Sequence, residues 1–257
     1  MTLIELKQVT KEYPLKLRRG KTKKKVAVHN VSLAISKGES VALVGESGSG
    51  KSTIAKLIMR TEKLTSGLIL WKGQNIHSKK VSDYSFFKNI QLVLQDSSSS
   101  LHPNMKVKEI LAEPIRNFFP DEKNWQEQCM KLLHLVGLDA SFLEHYSNQL
   151  SGGQKQRLCI AKALAVKPEL IIFDESIASL DGESKKGIIE VLKMVQRQDG
   201  LTYLFITHDL EFTKELCDFV AVMYQGEIVE YLANWEDEQL THPYTRILFS
   251  TMNAFIP

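Results

Sequence analysis

The chain has 257 residues, 43% of them hydrophobic, and a formal charge of +3; that is enough to bury a substantial core, as one large domain or as a core carrying an inserted subdomain. The charge is too small to demand a polyanionic partner, no apolar run reaches the roughly eighteen residues a membrane span needs, and the start, Met1-Thr2-Leu3-Ile4-Glu5-Leu6, lacks the basic segment and apolar run of a secretion signal. Cys129, Cys159 and Cys217 are far apart, form no Cys-x-x-Cys pair, and read as reduced packing residues of a cytoplasmic chain.

Strands are expected at 3–9 and 26–35; in the second, Val31, Leu33 and Ile35 alternate with Ser32, Ala34 and Ser36. Together they suggest an antiparallel sheet. Between them Lys16, Arg18, Arg19, Lys21, Lys23, Lys24 and Lys25 surround Gly20. Such a run is either a patch for nucleic acid or anionic lipid or the solvated loop of a hairpin. The lack of interleaved aromatic residues favours the hairpin.

The apolar run Ser40-Val41-Ala42-Leu43-Val44 leads directly into Gly45-Glu46-Ser47-Gly48-Ser49-Gly50-Lys51-Ser52-Thr53, followed by the helix-forming Ile54-Ala55-Lys56-Leu57-Ile58-Met59. Glycines let backbone N–H groups converge on phosphate oxygens, because no Cβ blocks the approach and positive φ costs little. Lys51 would bridge the β- and γ-phosphates, Ser52 would hold Mg²⁺ through its hydroxyl, and the helix would turn its positive end to the anion. Strand, loop and helix in that order imply binding of a nucleoside triphosphate.

Further along, 67–71 and the turn Lys72-Gly73-Gln74 read as a hairpin, and 90–94 as a buried strand ending at Gln95-Asp96. Ser97-Ser98-Ser99-Ser100 meets Leu101-His102-Pro103 at once, so an ordered turn is expected rather than a linker. From 107 to 166 the spacing is helical, broken by Pro114, Pro120 and Gly137, with Cys129, Leu132, Leu133 and Val136 on one packed face. Strands at 170–173 and 202–206 then lead into Asp174-Glu175 and Thr207-His208-Asp209. Polar residues at successive strand ends fit a parallel sheet with a site along one edge.

Phosphoryl transfer to water needs clamped phosphates, a held cation, a positioned water and stabilised charge. Asp174 would hold Mg²⁺, usually through its water shell, while Glu175 would polarise the attacking water as general base. Gln95 can offer an amide oxygen to Mg²⁺ or to the water, and His208 an imidazole nitrogen to the γ-phosphate. The most discriminating segment is Leu150-Ser151-Gly152-Gly153-Gln154. Ser151 can cap the helix that follows, and Gly152 and Gly153 expose N–H groups to an anion, giving a second phosphate-binding surface.

With these motifs in this order, nearly the whole chain resembles the ATP-binding subunit of an ABC transporter. The resemblance implies an α/β P-loop NTPase (ABC ATPase) fold: a mostly parallel core sheet, an antiparallel β-subdomain, and an inserted helical subdomain at about 96–166. The chain would be a single nucleotide-binding domain over 1–257 with a C-terminal tail at about 233–257. It further implies a head-to-tail dimer, in which ATP lies between one subunit's phosphate loop and the other's Ser151 to Gln154 segment. Tyr13 matches the aromatic residue that stacks on adenine, although a tyrosine in a hairpin is also a common packing residue. Ser179-Leu180-Asp181 falls in family order as well, and Asp181 is counted with the nucleotide-binding residues.

The stretch from Gln95-Asp96 to His102-Pro103 and the tail His242-Pro243-Tyr244-Thr245 resemble the importers of dipeptides, oligopeptides and nickel or metal chelates. That tail could equally be a capped surface helix. The subfamily implies two transmembrane permease subunits, a second ATPase subunit, an extracytoplasmic solute-binding protein, no nucleic acid, and a place on the cytoplasmic face of the membrane. Two positions depart from the pattern: Ser176 stands after Glu175, and Ser97 after Asp96, where proline is usual. Both changes loosen backbone beside a ligand, since proline fixes φ and serine does not. A soluble ABC-type ATPase acting on nucleic acid or ribosomes, and a catalytically weak transporter subunit, are the alternative functions. With Cys217 the last cysteine, no iron–sulfur cluster is expected in the tail.

Overall fold

The computed structural model describes residues 1–16, 22–177, 180, 182–233 and 240–253, and the chain folds as two units, Met1–Val81 with Thr202–Pro257, and Ser82–Leu201. In the first unit, β1 (Thr2–Lys16) and β2 (Thr22–Ser36) pair antiparallel out to Lys16 opposite Thr22. The described lysines of the basic segment therefore flank a hairpin; Arg18, Arg19 and Lys21 lie outside the described residues. β1 runs well past the expected end at residue 9, with Gln8 at φ 47° where its register shifts. Pro14 is tolerated because β1 meets its second neighbour only as far as Thr10, opposite Ser66. One edge of β1 thus needs no N–H at residue 14.

β3 (Ser40–Val44) is buried at every position, and α1 (Lys51–Ile58) buries Ile54, Leu57 and Ile58. β4 (Ser66–Trp71) and β5 (Gln74–Asn75) complete an antiparallel sheet ordered β2-β1-β4-β5. The turn between them places Lys72 and Gly73 at φ 51° and 76°, the double positive φ of a tight hairpin.

The second unit opens with α2 (Asp83–Asn89), capped by the Ser82 hydroxyl, which accepts from the Ser85 N–H. β6 (Ile90–Leu94) follows, and the serine run is a helical turn, α3 (Ser97–Ser100). Asp96 organises that turn: its carboxylate accepts from the Ser99 N–H, and its carbonyl from the Ser99 and Ser100 hydroxyls. α4 (Val107–Phe118) passes straight through Pro114, where a break is expected. The lost N–H bond is one interaction, against a buried face of Val107, Ile110, Leu111, Pro114 and Ile115.

α5 (Trp125–Leu135) buries Cys129 and Leu133, with Val136 just beyond its end, and α6 (Gly152–Leu164) packs beside it. The segment expected as a helical subdomain at about 96–166 shares this unit with β6, β7 (Leu170–Asp174), which pairs parallel to β6, and α7 (Gly182–Asp199). Arg157 locks α6 in place: its guanidinium donates to the carbonyls of Val136 and Gly137 and, at 2.7 Å, to the Ser184 hydroxyl. Arg157→Ala strands those acceptors and is expected to destabilise the chain by about 1.5–3 kcal/mol, read from the urea unfolding midpoint.

Returning to the first unit, β8 (Thr202–Thr207), α8 (Leu210–Leu216), β9 (Phe219–Tyr224) and β10 (Glu227–Ala233) precede α9 (Pro243–Asn253). β3 lies between β9 and β8 and runs parallel to both, while β10 closes antiparallel on β9. Parallel strands buried on both faces call for apolar runs, as in Tyr203-Leu204-Phe205-Ile206 and Val220-Ala221-Val222, each at most 1% exposed. Burial pushes the thiols up, Cys129 to about 11, Cys159 to about 12 and Cys217 well above its usual value. They are neutral packing groups.

Candidate functional site

β3 delivers the phosphate loop from a rigid strand end, and the loop's glycines are fixed by what lies beneath them. A Cβ on Gly45 would stand 2.1 Å from the Met223 carbonyl oxygen, and one on Gly50 2.2 Å from that of Ala27. With φ 151° and 110°, both positions exclude a side chain on sterics and on backbone conformation. Gly48 differs: φ is 85°, yet a Cβ there would meet nothing within 4 Å, so its open side is the approach to the loop. Ser49 is buried and anchored from below, its carbonyl accepting from the Gly226 N–H at 3.0 Å, while Glu46, Ser47 and Gly48 are exposed.

Lys51 is only 4% exposed. Its ammonium donates to the carbonyls of Gly45 at 2.7 Å and Glu46 at 2.8 Å, which holds a positive charge inside the loop's curve. α1 starts at Lys51 with no side chain capping its end, and the first N–H groups of a helix have no acceptor within it. Ser52, exposed, and Thr53, half-buried, occupy that first turn. A helix start without a side-chain cap and a held ammonium fit the phosphates of a nucleotide.

The remaining residues are set by strand register. In the first unit Val44 pairs with Thr207, so Gly45 and the exposed His208 leave neighbouring strands at one edge. Asp209 N–H donates to the Thr207 hydroxyl, and Asp209 caps α8, which fixes the turn carrying His208. In the second unit Leu94 pairs with Asp174, so Gln95 and Glu175 also leave neighbouring strands at one edge. Asp174 and Glu175 are half-buried, and Ser176 behind them is fully buried. Glu175 has φ 51°, a left-handed conformation costing about 1–2 kcal/mol in a residue with a Cβ. Such strain gathers at functional sites.

Ser151 and Gln154 form a reciprocal cap at the start of α6. The Gln154 N–H donates to the Ser151 hydroxyl at 3.3 Å, and the Ser151 N–H to the Gln154 side-chain oxygen at 2.8 Å. Gly152 and Gly153 lie in that first turn, and a Cβ on Gly152 would meet nothing within 4 Å. One turn on, the Gln156 amide reaches the Leu94 carbonyl at 3.4 Å, tying this helix to the strand end that carries Gln95. Tyr13, half-buried on β1, has the Lys11 ammonium 4.6 Å from its ring centroid; its strand partner Lys25 stands two residues before Ala27. Asp181 and Ser179 lie outside the described residues.

Supporting groups that residue types alone did not single out are Ala27, Met223 and Gly226. The apolar run 219–223 before Gln225-Gly226 fits a strand, but nothing in its residue types places a carbonyl under Gly45. Among the described residues no helix is long and apolar enough to cross a membrane, and no group of three or more His, Cys, Asp or Glu could hold a metal ion.

A family model described as ABC transporter matches residues 28–178. The chain is 40% identical over 255 residues to the oligopeptide transport ATP-binding protein OppF of Lactococcus lactis subsp. lactis (strain IL1403), covering 97% of this chain and 80% of that one. It is 40% identical over 259 residues to the nickel import ATP-binding protein NikE of Escherichia coli O157:H7, covering 100% and 96%. Among solved structures, the dimeric post-hydrolysis state of the ATP-binding cassette MJ0796, bound to ADP and Pi, is similar with a TM-score of 0.79 and 29% identity over 91% of this chain and 100% of that one.

Proposed function

The chain belongs to the ABC transporter family, and on that premise we propose that it is the ATP-binding and ATP-hydrolysing subunit energising an importer of peptides or of nickel or metal chelates. The observation that carries this is the presence, in one chain, of a braced phosphate loop and of a second N–H-bearing helix start at Ser151 to Gln154. The near full-length identity to subunits of oligopeptide and nickel transport supports the choice of cargo class.

In this reading the phosphate loop and Lys51 clamp the triphosphate, and Tyr13 stacks on adenine. Ser52, Gln95 and Asp174 hold a magnesium ion, which when bound neutralises phosphate charge. Glu175 takes the proton of the attacking water, and His208 contacts the γ-phosphate. Asp181 joins the nucleotide-binding set. Ser151, Gly152, Gly153 and Gln154 complete the site of a second ATPase subunit, so that ATP is sandwiched in a head-to-tail dimer. Two permease subunits carry the cycle of closure and hydrolysis to the membrane, where a solute-binding protein outside delivers the cargo and the ATPase sits on the cytoplasmic face. The whole chain then acts as one nucleotide-binding domain, with its helical part facing the permeases.

The test is concentration. The isolated chain is expected to bind ATP in a calorimetric titration, while hydrolysis per subunit rises with protein concentration until dimers saturate. A turnover per subunit that is constant down to nanomolar protein sinks the shared site. Affinity capture from membranes is expected to bring down permeases; recovery of salt-sensitive nucleic acid instead would overturn the transport reading.

A further inference from the structure

The tail motif His242-Pro243-Tyr244-Thr245 stands at the start of α9. Its tyrosine reaches the phosphate loop: the Glu46 N–H donates to the Tyr244 hydroxyl at 2.7 Å. We propose that Tyr244 is a positioning residue that holds the phosphate loop in its nucleotide-binding shape, making the C-terminal tail a brace for ATP affinity. The proposal rests on the loop's being an ATP site, as argued above.

Three observations carry it, all within the first unit. Glu46 follows Gly45, the residue seated on the Met223 carbonyl, so the loop is gripped at successive residues by different elements. The Tyr244 ring stacks on Tyr224, with centroids 4.3 Å apart and planes at 26°. Tyr224 ends β9 and adjoins Met223, so the strand beneath the loop also sets the tyrosine's position. The start of α9 is itself fastened. Glu230 on β10 accepts from the Thr241 hydroxyl at 2.7 Å and from the N–H groups of Thr241 and His242, and Thr245 is fully buried. Burial alone would push the Glu230 carboxyl up, but these bonds, with the nearby Thr245 side chain, hold it below its usual value. It is a carboxylate at a helix start, a favourable charge there. The route runs from Glu230 through the helix start to Tyr244 and on to Glu46.

A loop with a loosened Glu46 spends part of its time in shapes that cannot converge on phosphate, and apparent affinity falls by the fraction lost. Saturating ATP restores the bound shape, so turnover at saturation stays the same.

Tyr244→Phe removes the hydroxyl and keeps the stacked ring. In the full chain, the Kd for ATP is expected to rise about threefold to tenfold, the worth of one hydrogen bond. In the assembled transporter, KM for ATP rises with it and kcat stays unchanged. Glu230→Ala, which unfastens the helix start, is expected to raise the Kd to a similar extent, and the double variant no further than the larger single effect, because both act through one contact. By reciprocity, a non-hydrolysable ATP analogue should slow hydrogen exchange over 241–250 in the unaltered chain and not in Tyr244→Phe. A Kd unchanged in Tyr244→Phe, or effects of the two variants that multiply, overturns the brace while leaving the ATP site standing. Failure of the unaltered chain to bind ATP overturns both.

Discussion

Glu175→Gln is expected to leave ATP binding intact and to cut hydrolysis by about two to four orders of magnitude, the usual worth of a positioned general base. Glutamine keeps the length, shape and hydrogen-bonding capacity of the side chain and removes its basicity. The backbone is unaffected, because the strained φ of 51° is met equally by either residue, whereas Glu175→Ala would also empty the strand end. The assembled complex should therefore bind ATP, close, and stay closed, giving a long-lived dimer on size exclusion and little phosphate release. Near-normal phosphate release in that complex would remove Glu175 from the role of base and revive the reading of a catalytically weak subunit. Making the substitution in this subunit alone separates its turnover from that of the other ATPase.

Lys51→Ala acts one step earlier. The ammonium now held by the Gly45 and Glu46 carbonyls exchanges them for phosphate oxygens when a nucleotide binds. A hydrogen bond to a charged group is worth about 1.5–3 kcal/mol, so the Kd for ATP should rise roughly tenfold to 150-fold. Calorimetric titration checks it, with far-ultraviolet circular dichroism as the control that α1 still forms. Unchanged affinity would mean that the lysine serves only the loop's own carbonyls. The two substitutions make opposite pairs of observations: binding without turnover for Glu175→Gln, and lost binding for Lys51→Ala.

The sequence exposes those parts of the molecule whose chemistry is local. Gly45, Gly48 and Gly50 announce positive φ because few other residues tolerate it, and all three have it. The apolar runs at 40–44 and 170–173 mark β3 and β7 because buried parallel strands have no polar face; β6, expected as a buried strand, buries only Ile90 and Val93 and leaves Leu94 exposed. Tertiary override explains the rest. β1 outruns its apolar pattern because pairing with β2 extends to Lys16. α4 absorbs Pro114 because its buried face outweighs one missing bond. The bond from Glu46 to Tyr244 joins residues far apart in the chain, and no spacing rule connects them. Among the site residues, the glycines and the strand-end acids carry their own signal, whereas the carbonyls of Ala27 and Met223 are backbone atoms that any residue type could supply.

The paired strand ends bear on which changes in length the protein can absorb. Val44 opposite Thr207 and Leu94 opposite Asp174 fix Gly45 beside His208 and Gln95 beside Glu175 by ladders of hydrogen bonds. Residues added to the connections leave those ladders alone, at a small entropic cost. A single residue deleted from β3 or β7 would shift the strand end by about 3.3 Å and turn every following side chain to the opposite face. Relatives of this chain can therefore diverge in the length of their loops, while these four strands must keep count.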